Sequence, residues 1–183
     1  MDTLTINATT INLTIGDIVV SNRDALVTAA NTELAGGGGV DAAIHKAGGP
    51  DIHVACEEIL RTRGPVPPGK AVMTTAGNLP AKCVIHAVGP IWYGGNNHEA
   101  ETLASAYTDS LKLATSNDLE SVAFPSLSTG AYHYPVDQAS RIALKAVADY
   151  LKSNKTSLKE VRFVLYDTGT YDAYARALAE IKA

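Results

Sequence analysis

The chain of 183 residues sets 15 Lys and Arg against 19 Asp and Glu, a formal net charge of −4, with 46% hydrophobic residues. That length and apolar content suit one soluble domain with a sizeable core. The acidic balance disfavours binding to the phosphate backbone of a nucleic acid, and no stretch approaches the roughly 20 apolar residues of a membrane span. The start, "MDTLTINATT", has neither the basic region nor the apolar segment of a signal peptide, so a cytoplasmic location is expected.

Strand-length apolar runs come first as "TLTINAT" (3–9) and "TINLTI" (10–15). They lie too close for a helix between them, which predicts at least one antiparallel pair. "DALVTAA" (24–30) follows, then a glycine stretch that opens a helix near Val40. Ile52, Ala55, Cys56, Ile59 and Leu60 fall at helical spacing and stop before the Gly/Pro-rich loop 64–69. "KAVMTTAG" (70–77) and "KCVIHAV" (82–88) read as strands, Leu103 to Ala114 as a helix, and "SVAFPSL" (121–127) as another strand. A helix from about Pro135 to Tyr150, the strand "VRFVLYD" (161–167) and a helix from Tyr171 to Ile181 complete the chain. Nearly continuous apolar strands alternating with helices predict an α/β fold of three α/β/α layers, with a mostly parallel sheet covered on both faces. Ligands of such sheets bind beyond the carboxyl ends of the strands, which directs attention to the loops that follow them.

Four loops carry candidate chemistry. "GPVPPGKA" (64–71) imitates a phosphate-binding loop, but Ala71 stands where Ser or Thr would hold magnesium, and its prolines lack N–H groups. It reads as a rigid surface connection. "TAANTELAGGGGVDAAIH" (28–45) joins a strand end at Asn31 to a helix N-terminus through four glycines, with Asp41 in the first turn. Strand, glycine loop and helix start make an anion site of backbone N–H groups; read blandly, the glycines are a flexible link and Asp41 complements the helix dipole. "FPSLSTGAYHYP" (124–135) offers Ser128, Thr129 and Gly130 to the same crevice, with Tyr132 and Tyr134 placed to cover a ribose or base. Asp17, after "TIG", suits an exocyclic amine or simply caps a turn, and Tyr166 either stacks on a base or joins the core. His45, His86 and His133 show no ligand spacing, so no metal is expected. Cys56 and Cys83, both in apolar runs, are expected to be buried reduced thiols.

Taken together, "LVTAANTELAGGGGVDAAIHKAGG", "LPAKCVIHAVGP" and "SVAFPSLSTGAYHYP" resemble the motifs of MacroD-type macro domains in order and separation, over nearly the whole chain. The resemblance implies a ligand, ADP-ribose, and an activity: hydrolysis of the ester joining ADP-ribose to Asp or Glu, together with deacetylation of O-acetyl-ADP-ribose, without metal or cofactor. It implies that Asp17 and the Ile18 backbone hold the adenine, that Asn31 holds the distal ribose, and that Gly38, Gly39 and Val40 present N–H groups to the diphosphate. Ser128, Thr129, Gly130, Ala131 and Tyr132 then wrap the phosphates and distal ribose, and Asp41 acts on the attacking water. The alternatives are a non-enzymatic ADP-ribose reader with the same pocket, or a regulatory interaction module. Three departures stand out: Thr28 replaces an Asn of the family pattern, while Ala42 and His133 replace glycines. If position 133 needs a positive φ, its histidine is strained.

Overall fold

The computed structural model describes residues 2–183. Seven strands form one sheet: β1 (Thr3–Ile6), β2 (Thr9–Ile15), β3 (Ala25–Ala30), β4 (Ala71–Thr75), β5 (Cys83–Val88), β6 (Ser121–Phe124) and β7 (Glu160–Leu165). Five helices flank it: α1 (Gly39–Gly48), α2 (Pro50–Arg63), α3 (Glu99–Ser116), α4 (Val136–Ser153) and α5 (Thr168–Lys182), with a single 3-10 turn at Ile18–Val20. The spatial order is β1-β2-β7-β6-β3-β5-β4. The five central strands run parallel, as anticipated, and β1 pairs antiparallel with β2. The pairing of β4 with β5 is antiparallel too. Strand–helix alternation does not foresee it, because only the turn at 76–82 joins these two strands.

Each face of the sheet carries its own core. Helices α3, α4 and α5 cover one, around Ile11, Leu13, Val27, Ile85 and an aromatic cluster of Tyr107, Phe124, Phe163 and Tyr174. Helices α1 and α2 cover the other over Leu26, Ile44, Ile52, Val72 and Val84. All six residues of β5 are buried, which accounts for its unbroken apolar run. In α4, Ala139, Ala143, Leu144, Val147 and Leu151 face inward at helical spacing.

The aromatic core also reaches up to the loops. The buried Tyr107 hydroxyl accepts from the Leu127 N–H at 2.9 Å, and Tyr174 donates to Ser126 Oγ at 2.9 Å. The loop after β6 is therefore anchored from beneath. Because β3 lies between β5 and β6, the loops leaving these three strands converge at one edge of the sheet.

Candidate functional site

A cavity of about 230 Å³ opens at that edge. One wall is the glycine loop and the start of α1: Asn31, Gly38, Gly39, Val40 and Asp41. The opposite wall is the loop after β6, with Ser128, Gly130, Ala131 and Tyr132. A larger hollow of about 310 Å³ between α4 and α5 is lined by paired surface charges, Arg141 with Glu180 and Lys145 with Asp149, and lies away from every strand-end loop.

The glycine loop is shaped, not slack. Leu34 and Ile44 are buried at its two ends, and Asn31 turns it by accepting from the Ala35 N–H through Oδ1 and from the Leu34 N–H through its carbonyl. Gly36 (φ +69°) and Gly39 (φ +60°) adopt the left-handed conformation that favours glycine. A Cβ at Gly36 would also press on the His45 ring, 3.2 Å from its nearest atom. Gly38 caps α1 and no side chain among the described residues accepts from the first turn, whose residues Gly39, Val40 and Asp41 line the cavity.

Asp41 sits in that first turn with only 2% of its surface exposed. Its Oδ1 accepts from the Thr28 hydroxyl at 2.9 Å, and its Oδ2 from the Gly37 N–H at 3.2 Å. His45 Nε2, one turn on, lies 3.5 Å from Oδ1 and has no hydrogen-bond partner among the described residues. Burial raises the Asp41 pKa, and Thr28, His45 and Gly37 offset only part of that rise. Burial, seconded by the charge of Asp41, also raises the phenol of Tyr132.

The loop after β6 is tight. Ser128 and His133 both have positive φ, +66° and +61°, so the histidine does occupy a glycine-favouring conformation. The Ser128 hydroxyl is buried against Gly89 and finds no protein partner. The loop after β5 braces this wall, for the Trp92 N–H donates to the Tyr132 carbonyl at 2.9 Å. Glu99 holds that bracing loop in turn: burial alone would raise its pKa, but N–H groups of Tyr93, Gly95 and Asn97 bring it to about 2.

The remaining expected residues fall in different places. Thr129 does not line the cavity; its hydroxyl turns back to Ser126 Oγ at 2.8 Å. Tyr134 is no cover for a ligand either, being buried with its ring on Trp92 at a centroid distance of 4.6 Å. Tyr166 is 82% exposed at the end of β7, not core. Asp17 borders a neighbouring depression and caps the 3-10 turn by accepting from the Val19 N–H, while the Ile18 side chain is buried in the core. Ala29, Ala30, Gly89 and Ser126 complete the cavity. Gly89 was within reach of the sequence, since it follows "CVIHAV" at a strand end; the inward turn of Ser126 was not.

The fold also gathers residues whose spacing shows no pattern. Ligand atoms of His45, Cys56 and His86 lie within 4.8 Å of one another beneath Asp41. Cys56 Sγ, however, is 4.0 and 3.9 Å from the two ring nitrogens of His86. Near-equal distances keep the sulfur off both lone-pair axes, which is packing geometry and not that of a ligand set. Thr74 passes its own proton to the Thr75 carbonyl and so accepts from His86 Nε2, at 2.8 Å. Burial, with His45 nearby, lowers His86 to about 3, and burial lifts the Cys56 and Cys83 thiols to about 11. Both cysteines are free, and these thiols are poor nucleophiles at neutral pH.

Comparison with known proteins fits this architecture. A relative from Klebsiella pneumoniae (strain 342), named O-acetyl-ADP-ribose deacetylase, is 50% identical over 90% of this chain and 94% of its own. A macro domain-containing protein of Caldanaerobacter subterraneus subsp. tengcongensis is 56% identical over 93% and 97%. Among solved structures, the Oceanobacillus iheyensis macrodomain with ADP superposes with a TM-score of 0.94 at 37% identity, covering 99% of this chain and 96% of that one. The Trypanosoma brucei macrodomain in complex with ADP-ribose gives 0.82 at 34%, covering 92% and 68%. The model of the Macro domain family matches residues 27–143, from β3 through the first half of α4. The chain belongs to the macro domain family.

Proposed function

We propose that the chain is one macro domain that binds ADP-ribose and hydrolyses esters on its distal ribose, deacetylating O-acetyl-ADP-ribose and freeing mono-ADP-ribose from Asp and Glu side chains of proteins. One observation carries the reading: a buried, oriented carboxylate, Asp41, stands beside the uncapped N-terminus of α1 in a cavity between two strand-end loops. The relatives' names and the nucleotides bound to structural neighbours point the same way.

In this reading the diphosphate rests on the N–H groups of Gly38, Gly39 and Val40, where the helix dipole favours an anion. Ser128, Gly130, Ala131 and Tyr132 close over it. Asn31 spends its Oδ1 on the loop and keeps its Nδ2 donors for the distal ribose. Asp17, the Ile18 backbone and the exposed Tyr166 ring take the adenine. Asp41 then orients a water and accepts its proton as the oxygen adds to the ester carbonyl. Collapse expels the ribose oxygen, which takes the proton back from Asp41, and releases a carboxylic acid. Burial brings the Asp41 pKa nearer to working pH, which suits a general base. Two free, buried thiols suit the reducing cytoplasm in which we place the protein.

The test offers the protein O-acetyl-ADP-ribose and a glutamate-linked mono-ADP-ribosylated target, and measures release beside calorimetric affinity for ADP-ribose. Release from both substrates supports the full proposal. Release of acetate alone leaves a deacetylase, and binding without release leaves a reader. Asp41→Ala should lower turnover at least about 100-fold, as loss of a general base does. Its affinity for ADP-ribose should fall by no more than about tenfold, the cost of one lost support to the loop at Gly37.

A further inference from the structure

We propose that Thr28 is a positioning residue whose hydroxyl holds the Asp41 carboxylate in a single orientation and keeps it ionised. The inference rests on the hydrolase reading for its kinetic consequence, but its geometry stands without it. Thr28 is fully buried in β3, in register with His86 of β5. Its Oγ1 donates to Asp41 Oδ1 at 2.9 Å, the only side-chain hydrogen bond the carboxylate receives among the described residues. The other oxygen has the Gly37 N–H. A β-branched side chain within a strand has few rotamers, so the strand itself sets the direction of that hydroxyl.

The other titratable groups around Asp41 do not duplicate this contact. His45 of α1 lies 3.5 Å away but makes no hydrogen bond to it. His86 of β5 is spent on Thr74 and stays neutral. Cys56 of α2 is a protonated thiol against the His86 ring, and Tyr132 of the facing loop is a phenol whose ionisation Asp41 itself disfavours. Only Thr28 gives this desolvated carboxylate a short side-chain donor. Position 28 departs from the Asn of the family pattern, and here a hydroxyl supplies the donor.

Thr28→Val removes the donor at nearly constant shape and volume. A hydrogen bond to a charged group accounts for about one pH unit or somewhat more in a buried carboxylate. The acid limb of the kcat–pH profile should therefore move up by about one unit, with kcat reduced about tenfold at pH values below both limbs, kcat unchanged on the plateau, and KM within threefold. Thr28→Ser, which keeps the hydroxyl, should restore both. In the free protein, carbon-13 titration of the Asp41 carboxyl should show the same upward shift in Thr28→Val and not in Thr28→Ser. A wild-type acid limb and titration in Thr28→Val would overturn the proposal, as would a raised KM at unchanged kcat. If the wild-type chain hydrolyses neither ester, the hydrolase reading fails and the carboxyl titration alone decides the role of Thr28. If Thr28→Val does not fold, Thr28→Ala is read against Thr28→Ser in the same way.

Discussion

Replacing Ser128 by alanine should make the free protein more stable and its complex weaker. Ser128 lies in the cavity wall, 6% exposed, and its buried hydroxyl has no hydrogen-bond partner among the described residues. A buried hydroxyl left without a bond costs about 1–3 kcal/mol, and alanine removes that cost. Both residues meet the same left-handed backbone, φ +66°, so conformational strain cancels in the comparison. The net expectation is a gain of about 1–2 kcal/mol, or roughly 2–8 °C in Tm for a chain of this size. In the proposed complex Ser128 donates to the phosphates, and on that reading the loss of a charge-assisted bond should weaken binding about ten- to a hundredfold. Thermal denaturation with and without ADP-ribose reads both quantities in one series. A mutant that melts below wild type without ligand, or one that keeps wild-type affinity, would refute the reasoning.

At position 133, where φ is +61°, glycine should raise stability by up to about 1 kcal/mol and the β-branched valine should lower it by about 1–2, as urea denaturation would show. Equal stabilities of the two variants would mean that the loop after β6 stores no strain there. His86 should make the fold acid-sensitive. Burial, then His45, lowers it from 6.5 to about 3, so the stability it contributes is complete above pH 6.5 and drains away as pH falls toward 3, with an upper bound of about 5 kcal/mol. His86→Gln should flatten that slope between pH 6.5 and 4; an unchanged slope would assign the acid sensitivity elsewhere. Asp41, with its raised pKa, works in the opposite sense and favours the fold at low pH.

The pattern of apolar runs, helical spacings and one glycine stretch placed the seven strands and five helices, because β5 and its neighbours are buried on both faces and α4 on only one. It located the start of α1 to within a residue, since glycines followed by an apolar helical pattern leave little choice. What it could not supply was strand order, and the site depends on strand order. The glycine loop faces Ser128 only because β3 lies between β5 and β6, a tertiary fact without a local signature. Orientation within loops was equally hidden. Thr129 and Ser128 are neighbours, yet one hydroxyl turns to Ser126 and the other is buried against Gly89, where no period of two or 3.6 applies. Buried contacts such as Thr28 to Asp41, 13 residues apart across a strand and a helix, require both elements to be in place.

Those contacts set an electrostatic conflict at the heart of the site. In the proposed complex the N-terminus of α1 serves two anions, the diphosphate on its N–H groups and the carboxylate of Asp41 within the first turn. The dipole and the Thr28 and Gly37 donors suffice to keep Asp41 ionised above its raised pKa when the cavity holds no phosphate. Adding a nearby dianion disfavours the charged form of Asp41 further, so its pKa must rise again on binding. A carboxylate with a higher pKa is a better base, and substrate binding thereby sharpens the group that attacks it. The pH dependence of kcat/KM reports the free enzyme and that of kcat reports the complex. The acid limb of kcat should accordingly lie at higher pH than that of kcat/KM. For a truncated ester without the diphosphate the two limbs should coincide. Coincident limbs with the full substrate would mean that the diphosphate charge does not reach Asp41, and that the two anions are insulated from each other across the first turn of α1.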